Sequence, residues 1–297
     1  MTLRLSVPSK TFLAGEYAVL VGGQALVACT GPRFELKATR GGAVGIEGIP
    51  EGSPASKWIR ARSPLIVDWK IEFLDPHGGR GGFGASSAQL LGVHALTTFL
   101  QSSVSRAVEG YDSRALWNDL QVLTGGSASG ADLLAQLAGQ VAHADMSTLQ
   151  VQSSSWPFAD LAFAIIRMPV KLATHAHLRD LDRSRLSALC APADECVRSF
   201  ASGSAEKFVE AMRGFALGLR TMRLQAESTL DLVGKLEAQS WCKVAKGCGA
   251  MGADTVLALF PSADQAAALE FMRGEGLEIV ATEKDLSAGL EMNWSWN

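Results

Sequence analysis

Aromatic residues make up only 7% of this 297-residue chain, and cysteines number five. The odd count, and the lack of any C-x-x-C pair among Cys29, Cys190, Cys196, Cys242 and Cys248, argue against a zinc ribbon or a dithiol redox motif. Such thiols read as small buried hydrophobes. His77, His94, His143, His175 and His177 form no H-E-x-x-H pattern, so no structural transition-metal site is expected. Charge is sparse too, at 19% of residues with a net charge of −3, which leaves no electrostatic footprint for nucleic acid or an acidic membrane. No apolar run approaches the ~18 residues that cross a bilayer, and the opening residues 1–8 lack a signal-peptide core. A cytoplasmic globular protein is expected, monomer or homodimer, with neither nucleic acid nor membrane as partner.

Hydrophobic residues are plentiful, at 47%, and there are 30 glycines. At roughly 150 residues per domain the length suggests two domains. Leu3, Leu5 and Val7 alternate with polar neighbours, as do Phe34, Leu36 and Ala38, predicting strands. Residues 17–21 also read as a strand before the turn signal Gly22-Gly23, 40–56 as loop or short hairpin, and 65–73 as a strand. A Gly-rich loop, Gly78 to Gly84, leads into a helix, apolar nearly all round, running to about Leu100. Further helices are predicted over 113–124 and from Gly130. The polar stretch Ser153 to Pro157 marks a boundary between units 1–155 and 156–297. Beyond it come a strand at 161–166, helices over 184–202 and 204–227 with a third before Cys242, then strand, helix and strand at 255–260, 263–274 and 277–282. Strands and helices mixed in both halves give an α+β class.

Two segments match G-x-G-x-x-G, and neither sits in a dinucleotide-binding unit. Gly247-Cys248-Gly249-Ala250-Met251-Gly252 precedes a strand rather than a helix, and Gly79-Arg80-Gly81-Gly82-Phe83-Gly84 is followed by helices without a second parallel strand. Lys-Ser/Thr follows neither, so there is no Walker A loop. A Gly-rich loop opening a helix is nonetheless an anion site, because the first N–H groups are unpaired and the dipole favours negative charge. Ser86 and Ser87 add hydroxyls that can cap the helix or reach a metal. Asp132, at a predicted helix start, is either a cap or an ionised carboxylate able to take a hydroxyl proton.

Read in order, three segments carry a resemblance: Pro8 to Leu20 (PSKTFLAGEYAVL), Gly82 to Ala88 (GFGASSA) and Lys246 to Asp254 (KGCGAMGAD). They resemble the three motifs of the GHMP kinases, the superfamily of galactokinase, homoserine, mevalonate and phosphomevalonate kinases, and the likeness covers essentially the whole chain. A fourth segment, Gly126 to Asp132 (GSASGAD), is similar to that family's catalytic-aspartate loop. The resemblance implies an N-terminal domain like ribosomal protein S5 domain 2 and a ferredoxin-like C-terminal domain, with the site between them. It implies ATP and Mg2+ as cofactors and a small alcohol or phosphorylated alcohol as substrate. Lys10 and Asp132 become the catalytic pair, Lys10 holding Asp132 ionised. Gly82, Gly84, Ser86 and Ser87 become the phosphate cradle, with Ser86 the Mg2+ serine. Glu16, Tyr17, Ser129, His175, His177, Arg179, Gly249 and Ala250 become substrate contacts, the cations of 171–179 facing a phosphorylated acceptor.

The chain departs from the family pattern at Ala85, Phe83, Met251 and Ala253, which replace a serine, a leucine and two glycines. Gln121 stands eleven residues before Asp132, where mevalonate kinases carry a Mg2+-binding glutamate. Tyr17 and Asp254 are similar to the phosphomevalonate kinase forms of motifs one and three, whereas the length is nearer that of small mevalonate kinases. The expected reaction is therefore phosphorylation of 5-phosphomevalonate to the diphosphate. A kinase of mevalonate or another small alcohol, and a catalytically inactive nucleotide-binding homologue, are the alternatives.

Overall fold

A computed structural model describes residues 1–41, 44–101, 111–168 and 182–295. Two long strands, β1 (Thr2–Ala14) and β2 (Gln24–Arg40), form its spine as an antiparallel pair. The far half of β2 pairs with β4 (Trp69–Leu74), which is flanked by the short β3 (Gly45–Glu47). Its near half pairs instead with β5 (Val141–Asp145), which carries β6 (Gln150–Ser154). The other side of β1 takes β11 (Glu291–Ser295), so the last strand of the chain completes the first sheet. The expected unit 156–297 thus sends its end back into the partner unit's sheet.

A second, four-stranded sheet has the order β10 (Ile279–Thr282), β7 (Leu161–Arg167), β9 (Thr255–Pro261), β8 (Val244–Cys248), all antiparallel. Period-two alternation divides its side chains between two cores. Leu161, Phe163, Ile165, Leu257 and Leu259 face the main core, while Ala162, Ala164, Ile166, Val256, Ala258 and Phe260 face a smaller one. Burial on both faces explains why 161–166 and 255–260 read as unbroken apolar runs.

The helices are α1 (Pro54–Ala61), α2 (Ala85–Gln101), α3 (Ser113–Thr124), α4 (Ala131–Ala138), the single turn α5 (Arg183–Leu186), α6 (Cys190–Ser202), α7 (Ala205–Thr221), α8 (Glu227–Glu237) and α9 (Gln265–Gly274). α2 packs on β1 and β2 with Ala88, Leu90, Leu91, Val93, Ala95 and Leu96 all buried, as its composition predicts. α6 rests on β2 and on α7, and α7 on β8, so this pair joins the two sheets through one continuous core.

Three expected elements differ. Residues 18–21 form a 3-10 turn rather than a strand, because Gly15 (φ 90°) and Gly22 (φ 82°) reverse the chain on either side. The strand expected from 65 begins only at Trp69, since Pro64 heads a 3-10 turn over Ser63–Leu65. Within 40–56, Ser53 caps α1 by accepting from Ser56 N, with Pro54 at the first helical position. Among the described residues no helix is long and apolar enough to cross a membrane.

Candidate active site

The Gly-rich loop is fixed from both sides before it reaches α2. Asp75, just past β4, accepts from His77 N (2.8 Å) and Gly79 N (3.0 Å), starting the turn. The His77 ring stacks on Phe83 at 4.2 Å, and the Arg167 guanidinium covers the same phenyl ring at 4.5 Å. Phe83 is thereby packed against both an imidazole and a cation. Arg167 donates to His77 Nδ1 (3.0 Å), so the ring proton sits on Nε2 and is donated to Ser9 Oγ (2.7 Å), which donates to Pro32 O (2.6 Å). Burial first, and the Arg167 charge next, hold His77 down at about 4 and therefore neutral.

The loop main chain then packs on Lys10. Lys10 N donates to Phe83 O (3.0 Å), and a Cβ on Gly84 (φ 86°) would fall 2.8 Å from Lys10 Cγ. Gly84 O accepts from Ser87 Oγ (3.0 Å) and from Gln136 Nε2 (3.2 Å), which also donates to Pro8 O (2.7 Å). Ser87 is consequently turned into the loop, while Ser86 is exposed and makes no protein side-chain hydrogen bond among the described residues. The two serines of the expected cradle therefore differ in availability.

Asp132 enters from the opposite wall. Its loop is shaped by Trp117 Nε1 donating to Ser129 O (2.8 Å) and Gln121 Nε2 donating to Ala128 O (2.9 Å). Gly130 (φ 82°) lies against Trp117 so closely that a Cβ would meet Cδ1 at 2.7 Å. Asp132 Oδ1 accepts from Leu133 N (2.9 Å), at the open end of α4, where the dipole favours the ionised form. Among the described residues no ion pair within 4 Å joins Lys10 to Asp132, and both line the same cleft.

The third wall follows β8. Gly249 (φ 86°) turns the chain so tightly that a Cβ would meet the Asp254 carboxylate at 2.2 Å, and a Cβ on Gly82 would touch Asp254 Cβ at 2.8 Å. Met251 N donates to Tyr17 Oη (2.7 Å), so the tyrosine oxygen helps to hold this turn while its own O–H proton is left to donate. Burial pushes the Tyr17 hydroxyl up to about 12. Glu16 makes a buried ion pair with Lys246 (2.6 Å), the two side chains being 3% and 1% exposed. Lys246 Nζ also donates to Gly247 O (3.1 Å) and to Cys248 Sγ (3.4 Å).

Between these walls lies a cleft of about 1040 Å3. It brings together Lys10, Glu16, Tyr17, Ser86, Ser87 and Asp132 with Ser129, Gly249 and Ala250. Gly82 and Gly84 stand behind it as the frame of the loop, outside its lining. His175, His177 and Arg179 lie outside the described residues. Gln121 borders a smaller side cavity rather than the cleft holding Ser86. Sequence reasoning missed Gln136, one helical turn beyond Asp132, and Lys246, which heads the third motif. It also missed Arg183, whose exposed position at the end of a polar segment carried no signal.

No protein-family model matches the sequence, and no curated protein sequence does. Solved structures do match. Phosphomevalonate kinase of Streptococcus pneumoniae, in complex with phosphomevalonate and AMPPNP, superposes with a TM-score of 0.74 at 16% identity, over 94% of this chain and 98% of that one. Mevalonate kinase of Methanococcus jannaschii gives 0.70 at 13% identity, over 94% and 97%. Galactokinase of Lactococcus lactis, complexed with galactose, gives 0.74 at 12%, over 98% and 95%. The chain has the α+β fold of the GHMP kinases.

Proposed function

We propose that this protein is an ATP- and Mg2+-dependent kinase of a small alcohol, and that its acceptor is 5-phosphomevalonate, converted to the diphosphate. The observation that carries the reading is the meeting, in one cleft, of Lys10, Ser86 and Asp132, from three distant parts of the chain and without a bond to one another. The residues fit a nucleotide. The loop main chain reaches Lys10 only because Gly84 has no Cβ, and it opens onto the unpaired N–H groups of the 17-residue α2. Mg2+ would be held by the hard hydroxyl oxygen of Ser86 together with the nucleotide's phosphates, where it would offset their charge. Bound Mg-ATP would supply the phosphoryl group to be transferred.

The chain's own groups then have separable tasks. Asp132, with Oδ1 held by Leu133 N, has Oδ2 to accept the proton of the acceptor hydroxyl. Lys10 offsets negative charge in the cleft it shares with Asp132, a site whose floor is closed by the Glu16–Lys246 pair. The Streptococcus pneumoniae phosphomevalonate kinase in complex with phosphomevalonate and AMPPNP supports this acceptor among those of the fold. Mevalonate is the second reading, favoured by the mevalonate kinase of Methanococcus jannaschii, which shares this fold over 94% of the chain at a TM-score of 0.70.

A coupled ADP-release assay with Mg-ATP tests both, using phosphomevalonate, mevalonate, galactose and homoserine. Saturable turnover on phosphomevalonate is expected. Turnover on mevalonate alone replaces the acceptor and keeps the mechanism. Asp132→Ala and Lys10→Ala should each lower kcat on the order of 10²–10³-fold, and undiminished turnover in both would remove the assigned roles.

A further inference from the structure

We propose that a side cavity beside Ser127 and Ser129 is an anion subsite, and that Arg183 selects an acceptor that places a phosphate or carboxylate there. This rests on the kinase reading of the main cleft. The cleft continues past Leu20 and Ser129 into a second cavity of about 180 Å3, and Arg183 borders both. Lys10, Ser86 and Asp132 border only the main cleft, so a group seated in the side cavity is held apart from the transferring end.

Charge decides what that group is. The main cleft is rich in acids, with Asp132, Asp182 and Asp254 on its walls. Among the described residues the side cavity has no acid, and Arg183 is its single charged lining residue. The neighbouring carboxylate does not neutralise it: Asp182 Oδ1 accepts from Ser184 N (3.0 Å) and Ser184 Oγ (2.6 Å), capping its own turn. Arg183 makes no ion pair or side-chain hydrogen bond among the described residues, and it is exposed. The far wall is rigid, because Trp117 and Gln121 spend their N–H groups on loop carbonyls. A guanidinium with no side-chain partner among the described residues, facing a pocket whose described lining has no carboxylate, matches the planar face of a phosphate or carboxylate.

The test uses the full chain and the variants Arg183→Gln and Arg183→Lys with Mg-ATP. Arg183→Gln should raise KM for phosphomevalonate by about 10–100-fold, the size of a lost charged hydrogen bond, with the larger part of the loss in KM rather than kcat. KM for ATP should move less than twofold, and Arg183→Lys should recover part of the loss. Mevalonate separates the two anions. A rise confined to phosphomevalonate identifies a phosphate in the subsite, and an equal rise for both identifies the carboxylate. Acceptor KM values within twofold of the parent overturn the proposal. If the parent chain turns over none of these acceptors, the kinase reading fails by itself, and calorimetric titration with phosphomevalonate and with inorganic phosphate then decides the subsite. Binding by the parent that Arg183→Gln loses sustains it. Equal binding by both chains, or none by the parent, removes it.

Discussion

Met251 has φ 57°, a left-handed conformation that a side chain with a Cβ adopts at roughly 1–2 kcal/mol. The turn tolerates it because both main-chain groups are used, N–H to Tyr17 Oη and C=O to Ala226 N, each at 2.7 Å. Glycine is thus the residue the backbone calls for at this position. Met251→Gly relieves the strain and keeps both bonds, while the added freedom of the unfolded chain takes back about 0.4–1 kcal/mol. The expected net gain is about 0.5 kcal/mol, a rise of roughly 1–2 °C in Tm for a chain of this size. A fall of more than 2 °C in a thermal melt would show that the methionine side chain contributes packing that outweighs the strain. Gly249 and Gly252, at φ 86° and 57°, obey the same rule, which is why a glycine-rich motif is legible in sequence. Arg183 illustrates the opposite: an exposed arginine has no periodicity or spacing to mark it, and only its surroundings give it meaning.

At the scale of elements, the loop between β4 and α2 is held by a side chain that must stay uncharged. His77 is 3% exposed, accepts from Arg167 and donates to Ser9, an arrangement with no room for a second ring proton. In the unfolded chain it protonates near 6.5, in the folded chain only near about 4. Its contribution is therefore complete above pH 6.5 and is lost as pH falls from there toward 4, by up to ~1.4 kcal/mol per unit. Denaturant melts of the parent and of His77→Gln across that window isolate it, since His94 and His143, also held down by burial, remain in both chains. The parent should lose stability more steeply on acidification than His77→Gln, and parallel curves would sink the assignment. The existence of this loop and of the helix behind it was readable from glycine spacing followed by an apolar run. Its anchoring was not, because Ser9, His77, Phe83 and Arg167 are distant in sequence and meet only when the two sheets close on the loop. The same limit applies to β11, whose five residues find their strand partner in β1 at the other end of the chain.

Across the whole molecule, the pair Glu16–Lys246 ties the turn after β1 to the strand β8 of the other sheet, 230 residues away. Burial pushes the Glu16 carboxyl above the ordinary carboxylate range, against the pull of Lys246, and its Oε2 has no partner among the described residues. The two motifs were legible separately, and the role of Lys246 was not, because its partner Glu16 is 230 residues away in sequence. What it does depends on which strand faces it. A buried ion pair is worth little against an apolar replacement, yet breaking one by removing a single partner is destabilising by about 3–5 kcal/mol, since a charge is left uncompensated. Lys246→Met should therefore lower Tm by roughly 10 °C, and Glu16→Gln should be milder, because it leaves a cation that still reaches the carbonyl of Gly247. The double variant Glu16→Gln/Lys246→Met should recover a large part of the loss in Lys246→Met. A double-mutant cycle reads this as coupling of opposite sign to the single losses. Strict additivity would mean that the two side chains contribute independently, the halves of the molecule being tied by the shared core of α6 and α7 and by the pairing of β11 with β1.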